Sequence, residues 1–193
     1  NASMATEDFA RSGTGQFVTG VAYFDANGDR FYGIGEGRGG VRMDARLLSS
    51  GALTTVTTAS AGGYGVKLAS GAYELTFSGG GIAAAMGVAV SLGTLNIKVD
   101  VVAADGLATN VSATLTGAGR SLTLLGIENV SGTGNGQANQ ILGNQGANEL
   151  NGAGGNDTLT GGAGNDVFVV KAGEANGDLI ADFAGNGASA GDT

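Results

Sequence analysis

From Gln16 to Val102 the chain alternates short runs of β-branched, aromatic and aliphatic residues with glycine and polar punctuation: QFVTGVAYF, GGVRMDARLL, TTVTTAS, GYGVKL, GAYELTFS, IAAAMGVAV and LNIKVDVV. Runs of this length and spacing predict the strands of an antiparallel β-sandwich over residues 16–103. Helical periodicity is weak throughout. The one ambiguous run, Val41 to Leu48, alternates so that Val41, Met43, Ala45 and Leu47 share a face, which predicts a strand. Two further strand-like runs, NVSATLT and SLTLLGIENV, fall in residues 104–131, where they are placed to cap the segment beyond them.

Beyond residue 131 the pattern changes period. Written in nines the chain reads GNGQANQIL, GNQGANELN, GAGGNDTLT, GGAGNDVFV. Gly134, Gly143, Gly152 and Gly161 share one phase, Ile141, Leu150, Leu159 and Phe168 a second, and Asn139, Asn148, Asp157 and Asp166 a third. Each phase has its own physical role. Glycine permits the positive φ of a tight turn, the lone large apolar residue points inward, and Asp or Asn offers an oxygen at the turn. One such repeat cannot bury its apolar side chain, whereas a stack buries a continuous ladder. Hard oxygen donors suit calcium. The alternative is a stack of glycine turns that holds no metal, with which asparagine at the third phase is compatible.

Composition narrows the chemistry. The chain has no cysteine and no histidine, which excludes disulfides, thiolate or imidazole catalysis and Cys/His zinc sites. Nine basic residues against seventeen acidic ones give a net charge of −8, so cations rather than nucleic acid or anionic membranes are the natural partners. The longest apolar stretch, Ile82 to Val90, is far shorter than the roughly 20 residues of a membrane-spanning helix and reads as a buried strand. Asn1 to Ser3 read as a tag remnant, with residues 1–15 a leading linker of an excised fragment. Oligomeric state is not readable from the chain.

On its repeats the chain resembles the RTX, or haemolysin-type, calcium-binding family, whose repeat is GGxGxDxUx. The fourth copy carries the pattern in full, with Gly161, Gly162, Gly164, Asp166 and Phe168. The resemblance implies a short parallel β-roll over residues 132–193, two nonapeptides to a coil. Calcium would lie between turns two repeats apart, held by aspartate carboxylates and turn carbonyls such as those of Gly152 and Gly161. One side would carry Asn139 and Asp157, the other Asn148 and Asp166. GDLIADFAGNGASAGD resembles the closing run of the family, so Asp178 or Asp182 would complete the strongest site with Asp157. Asn139 and Asn148 depart from the pattern and lower the ligand charge, so their sites are expected to be weak or empty. The resemblance further implies a secreted protein, exported unfolded by a type I exporter and folded by extracellular calcium, whose repeats disorder on chelation.

A second candidate lies between the first two strand runs. In DANGDRFYGIGE, Asp25, Asn27, Asp29, Phe31, Gly33 and Glu36 occupy positions 1, 3, 5, 7, 9 and 12, the oxygen spacing of a calcium loop. Arg30 stands where that loop needs glycine and a strand leads in, so an EF-hand is not expected; a solvated hairpin capped by its own Asx side chains is the alternative. GVAYFDANGDRFYGIGEGRGGVRMDA with TASAGGYGVKLASGAYELTF resembles the SdrD B-type and prealbumin-like sandwiches of bacterial surface proteins, in which such a loop binds calcium. Sandwich followed by RTX repeats is also similar to the region after CAP-type domains in large secreted bacterial proteins. Gly35, Gly37 and Gly40 satisfy GxGxxG but no βαβ unit surrounds them. Tyr23, Phe24, Phe31 and Tyr32 could stack on a sugar, though core packing is the commoner fate of such residues. The expectation is an all-β, non-catalytic calcium-binding module. Its rivals are a glycan- or surface-binding adhesion module and an accessory domain of a larger secreted enzyme.

Overall fold

A computed structural model describes residues 15–26, 28, 32–175, 177–185 and 191–193, so the tag and linker expected over residues 1–15 lie almost wholly outside the described residues. Those residues form β-strands and turns with no helix. The strands are β1 Gln16–Tyr23, β2 Val41–Leu47, β3 Leu53–Thr57, β4 Gly63–Leu68, β5 Gly71–Gly79, β6 Ile82–Leu92, β7 Ile97–Val102 and β8 Gly106–Thr109. They continue as β9 Ala113–Gly117, β10 Ser121–Leu124, β11 Ser131–Thr133, β12 Gln140–Leu142, β13 Glu149–Asn151, β14 Thr158–Thr160, β15 Val167–Phe168 and β16 Leu179–Ile180.

Two eight-stranded sheets face each other along the whole length, in the orders β4-β1-β7-β8-β10-β12-β14-β16 and β3-β2-β5-β6-β9-β11-β13-β15. The alternation in β2 does what its sequence requires: Val41, Met43 and Ala45 are buried while Arg42 and Arg46 face solvent. One pairing departs from the antiparallel expectation, because β1 runs parallel to β7. The ladder between them skips Gly20 and Val21, whose neighbours on β7 are otherwise engaged. Val99 O accepts from the buried Tyr64 hydroxyl at 2.5 Å, and the Val21 N–H donates to Asp100 Oδ1 at 2.9 Å. A Cβ on Gly20 would stand 1.9 Å from Val99 O, so only glycine lets this carbonyl turn inward.

From β8 onward successive strands alternate between the sheets, and each pairs in parallel with the strand two places on. This is a parallel β-roll of about four coils. Its first strands join the antiparallel part directly, β8 on β7 and β9 on β6, so the sheets run through without a break. Gln140 lies opposite Thr158 and Glu149 opposite Val167, an offset of two nonapeptides. Leu122, Ile141, Leu159 and Ile180 therefore stack in one ladder, and Leu150 on Phe168 in the other. These ladders belong to the same apolar cluster as Val18, Met43 and Phe77. Each fully buried Leu or Ile contributes roughly 1.5–3 kcal/mol, and the shared core ties the first coils to the antiparallel strands.

Candidate metal centre

The turns between roll strands stack on two sides, as the offset dictates. The sixth residue of each nonapeptide is buried in its stack: Asn139 then Asp157 on one side, Asn148 then Asp166 on the other. Each aspartate accepts through Oδ1 from the sixth-position N–H of the coil before. Asn139 N donates to Asp157 and Asn148 N to Asp166, both at 2.8 Å. The closing segment supplies the next rung on both sides, with Asp157 N donating to Asp178 Oδ1 and Asp166 N to Asp192 Oδ1, each at 2.9 Å. Asp182 takes a different place, accepting from Gly161 N and Gly162 N at 2.8 Å through its two oxygens.

Thus Asp178 completes the Asp157 side, whereas Asp182 and Asp192 serve the Asp166 side. Asp178 is legible as the start of another D-x-U step, Asp178 before Ile180, once the chain is allowed to leave the nine-residue frame. Sequence reasoning missed Asp192. The nine-residue spacing of the sequence stops after the fourth repeat, so no repeat phase points to it.

The first glycine of each repeat is held against the sixth side chain. A Cβ on Gly152 would lie 2.2 Å from Asp157 Oδ2, and one on Gly161 2.3 Å from Asp166 Oδ2. Carbonyls close in from the neighbouring coil: a Cβ on Gly134 would meet Gly152 O at 2.3 Å, and one on Gly143 would meet Gly161 O at 2.1 Å. Carboxylate oxygens thus wall the cradles at Gly152 and Gly161, while the Gly152 and Gly161 carbonyls face the Asn139 and Asn148 turns of the preceding coils. Within them Asp157 Oδ2 is buried and accepts no hydrogen bond. A buried carboxylate oxygen without a partner is costly in water-free surroundings, and a cation relieves it.

Electrostatics agree. Burial pushes the Asp157 carboxyl above the usual range, the Asn139 N–H holds it partly down, and Asp178 pushes it up again. Asp166 is raised in the same way by burial, against the Asn148 N–H, with Asp192 and Asp182 adding repulsion. Among the described residues no three acidic side chains converge on one point. The carboxylates are strung along the stacks instead, and their oxygens are donors that suit a hard cation such as calcium.

The second candidate is only partly in view. Asn27, Asp29 and Phe31 lie outside the described residues. Glu36 accepts from Gly33 N at 2.6 Å through Oε2 and from Ala26 N at 3.2 Å through Oε1, so its carboxylate closes the loop on itself. Asp25 lines a groove of about 500 Å³ along the outer face of the first sheet, with Tyr23, Tyr32, Lys98, Asp100 and Gln140. Phe24 is half exposed and lies under Arg38, 4.9 Å from the guanidinium carbon to the ring centre.

A parallel roll with glycine turns, a buried Asn in each of the first two repeats and a buried Asp in each of the last two defines a repeat protein whose polar turns stack between its coils. Comparison with known families matches residues 133–168 to the RTX calcium-binding nonapeptide repeat, in four copies. The repeats are therefore RTX calcium-binding repeats, and calcium is the cation they indicate. No curated protein and no solved structure matches the chain. No helix among the described residues is long and apolar enough to cross a membrane.

Proposed function

We propose that this chain is a calcium-binding, non-catalytic module of a secreted bacterial protein, in which calcium orders the aspartate turns of the roll after export. The observation that carries this reading is the buried, unpartnered Oδ2 of Asp157, cradled against Gly152 inside the matched repeats. Asp157, Asp166, Asp178, Asp182 and Asp192 would hold the ions, with the carbonyls of Gly152 and Gly161 among the neutral ligands. Calcium would supply the positive charge that these mutually repelling carboxylates lack, and its binding energy would then be folding energy. Residues 16–103 would be the prealbumin-like sandwich, and the expected junction, residues 104–131, supplies the first strands of the roll that continues through residues 132–193.

Circular dichroism and thermal melting with excess chelator and with millimolar calcium test the reading. It expects β-structure and melting temperature to rise on calcium addition; identical spectra and melts would defeat it. A second reading, a glycan-binding face on the same module, would use the groove lined by Asp25 and Tyr32, where Tyr23 is itself buried and packs edge-on against Tyr32. A glycan array without hits would remove it.

A further inference from the structure

The first two turns of the repeat array differ from the last two in more than one side chain. In the first, Asn135 and Asn139 form a closed pair. Asn139 Oδ1 accepts from Asn135 N at 2.8 Å, and Asn139 Nδ2 donates to Asn135 Oδ1 at 3.3 Å. Asn135 Oδ1 also accepts from Gln137 N at 2.9 Å, an Asx turn. The second turn repeats the design with Asn144 and Asn148: Asn144 N to Asn148 Oδ1 at 2.8 Å, Asn148 Nδ2 to Asn144 Oδ1 at 3.0 Å, Gly146 N to Asn144 Oδ1 at 2.7 Å.

The same amides also reach the preceding coil. Asn135 Nδ2 donates to Gly119 O at 2.8 Å and Gln137 Nε2 to Gly117 O at 2.8 Å. Asn144 Nδ2 donates to Glu128 O at 3.0 Å and Asn148 Nδ2 to Val130 O at 3.0 Å. In the third and fourth turns the corresponding residues are Ala153 with Asp157 and Gly162 with Asp166, none of which carries a side-chain N–H. The backbone differs as well. Ala153, Gly155, Gly162 and Gly164 have φ of 63°, 132°, 93° and 122°, while Asn135, Gln137, Asn144 and Gly146 are not in the positive-φ region.

Stacked turns present carbonyl oxygens to one another, so each gap needs something positive between acceptors. Asparagine turns bring amide hydrogens, making the gap donor against acceptor. Aspartate turns bring more acceptors, and there an oxygen of Asp157 is left without a partner. Resting on the calcium reading above, we propose that the Asn135–Asn139 and Asn144–Asn148 pairs take the place of calcium. The first two repeats would stack on their predecessors without metal, forming with the antiparallel strands a permanent template, and the metal requirement would begin at Gly152. Calcium-driven ordering would then grow from this template toward the C-terminus, so no costly free nucleus has to form.

Hydrogen exchange by mass spectrometry, in excess chelator and in calcium, tests the partition on the whole chain. In chelator, amides over 140–151 are expected to keep their protection within about twofold while those over 158–180 lose more than about tenfold, regained in calcium. Joint loss from residue 140 onward would overturn the proposal and leave the calcium reading standing; no loss anywhere would overturn both. Asn139→Asp with Asn148→Asp removes the amide donors and adds charge. Protection over 140–151 should then become calcium-dependent, and a double variant as protected in chelator as the parent would also overturn the proposal.

Discussion

Replacing Gly152 by alanine puts a methyl carbon where the Asp157 carboxylate lies, 2.2 Å from Oδ2 and 2.7 Å from Cγ. Ordinary carbon–oxygen contact needs about 3.2–3.4 Å, so carboxylate or turn must move by roughly 1 Å, and overpacking of this kind costs about 1–3 kcal/mol. For a chain of this size that is a fall in melting temperature of roughly 2–12 °C. The loss should be larger in calcium than in chelator, because the displaced group is a proposed ligand; about 1.4 kcal/mol of it appears as a tenfold weaker calcium affinity. Gly136→Ala is the matched control in the same repeat array, since a Cβ there meets nothing within 4 Å. Differential scanning calorimetry of both variants, with and without calcium, reads the effect. Equal behaviour of Gly152→Ala and Gly136→Ala, or an equal loss for Gly152→Ala in both conditions, would refute the cradle.

Ala153 occupies a left-handed backbone conformation at φ 63°, where the fourth repeat has Gly162. Ala153→Gly should therefore stabilise the roll by roughly 1 kcal/mol, measurable by urea unfolding in calcium; destabilisation would contradict that account of the turn. Leu150→Ala empties a fully buried rung of the ladder and should cost about 2–5 kcal/mol in the same assay, and a cost near zero would mean the roll core is not packed as described. The folded-state pKa values of Asp157 and Asp166 are raised, so ionisation destabilises the metal-free fold at neutral pH, and the penalty is relieved as pH falls through those values. In chelator the melting temperature should rise on mild acidification, whereas in calcium it should fall as protons displace the ion; parallel curves would show that these carboxylates are not the ligands.

Much of the roll was legible because its signal is periodic. Ile141, Leu150, Leu159 and Phe168 could only be buried by stacking, and two nonapeptides per coil, implied by the family likeness, put Asn139 beneath Asp157 and Asn148 beneath Asp166. Alternation likewise gave β2 its inward Val41, Met43 and Ala45. The misses have physical reasons. β8 is only four residues long, with Leu107 its one large side chain and every position buried, so it shows neither alternation nor a long apolar run. The parallel β1–β7 ladder joins strands far apart in the chain, and its gap at Gly20, where Val99 O accepts from Tyr64, is a contact that no local pattern announces. Asp192 lies beyond the last nonapeptide, where the nine-residue phase of the sequence no longer runs. Asn135 and Asn144, read along the chain, look like simple departures from glycine; their bonds to Asn139, Asn148 and the preceding coil exist only once the turns are stacked.

A calorimetric calcium titration of the parent beside the Asp157→Asn, Asp166→Asn double variant tests most directly where the ions go. The account predicts saturable binding of two or more ions to the parent, with the tightest class abolished or weakened at least about tenfold in the variant, since each substitution removes a ligand charge. A parent that binds no calcium, or a variant that binds as the parent does, would contradict it.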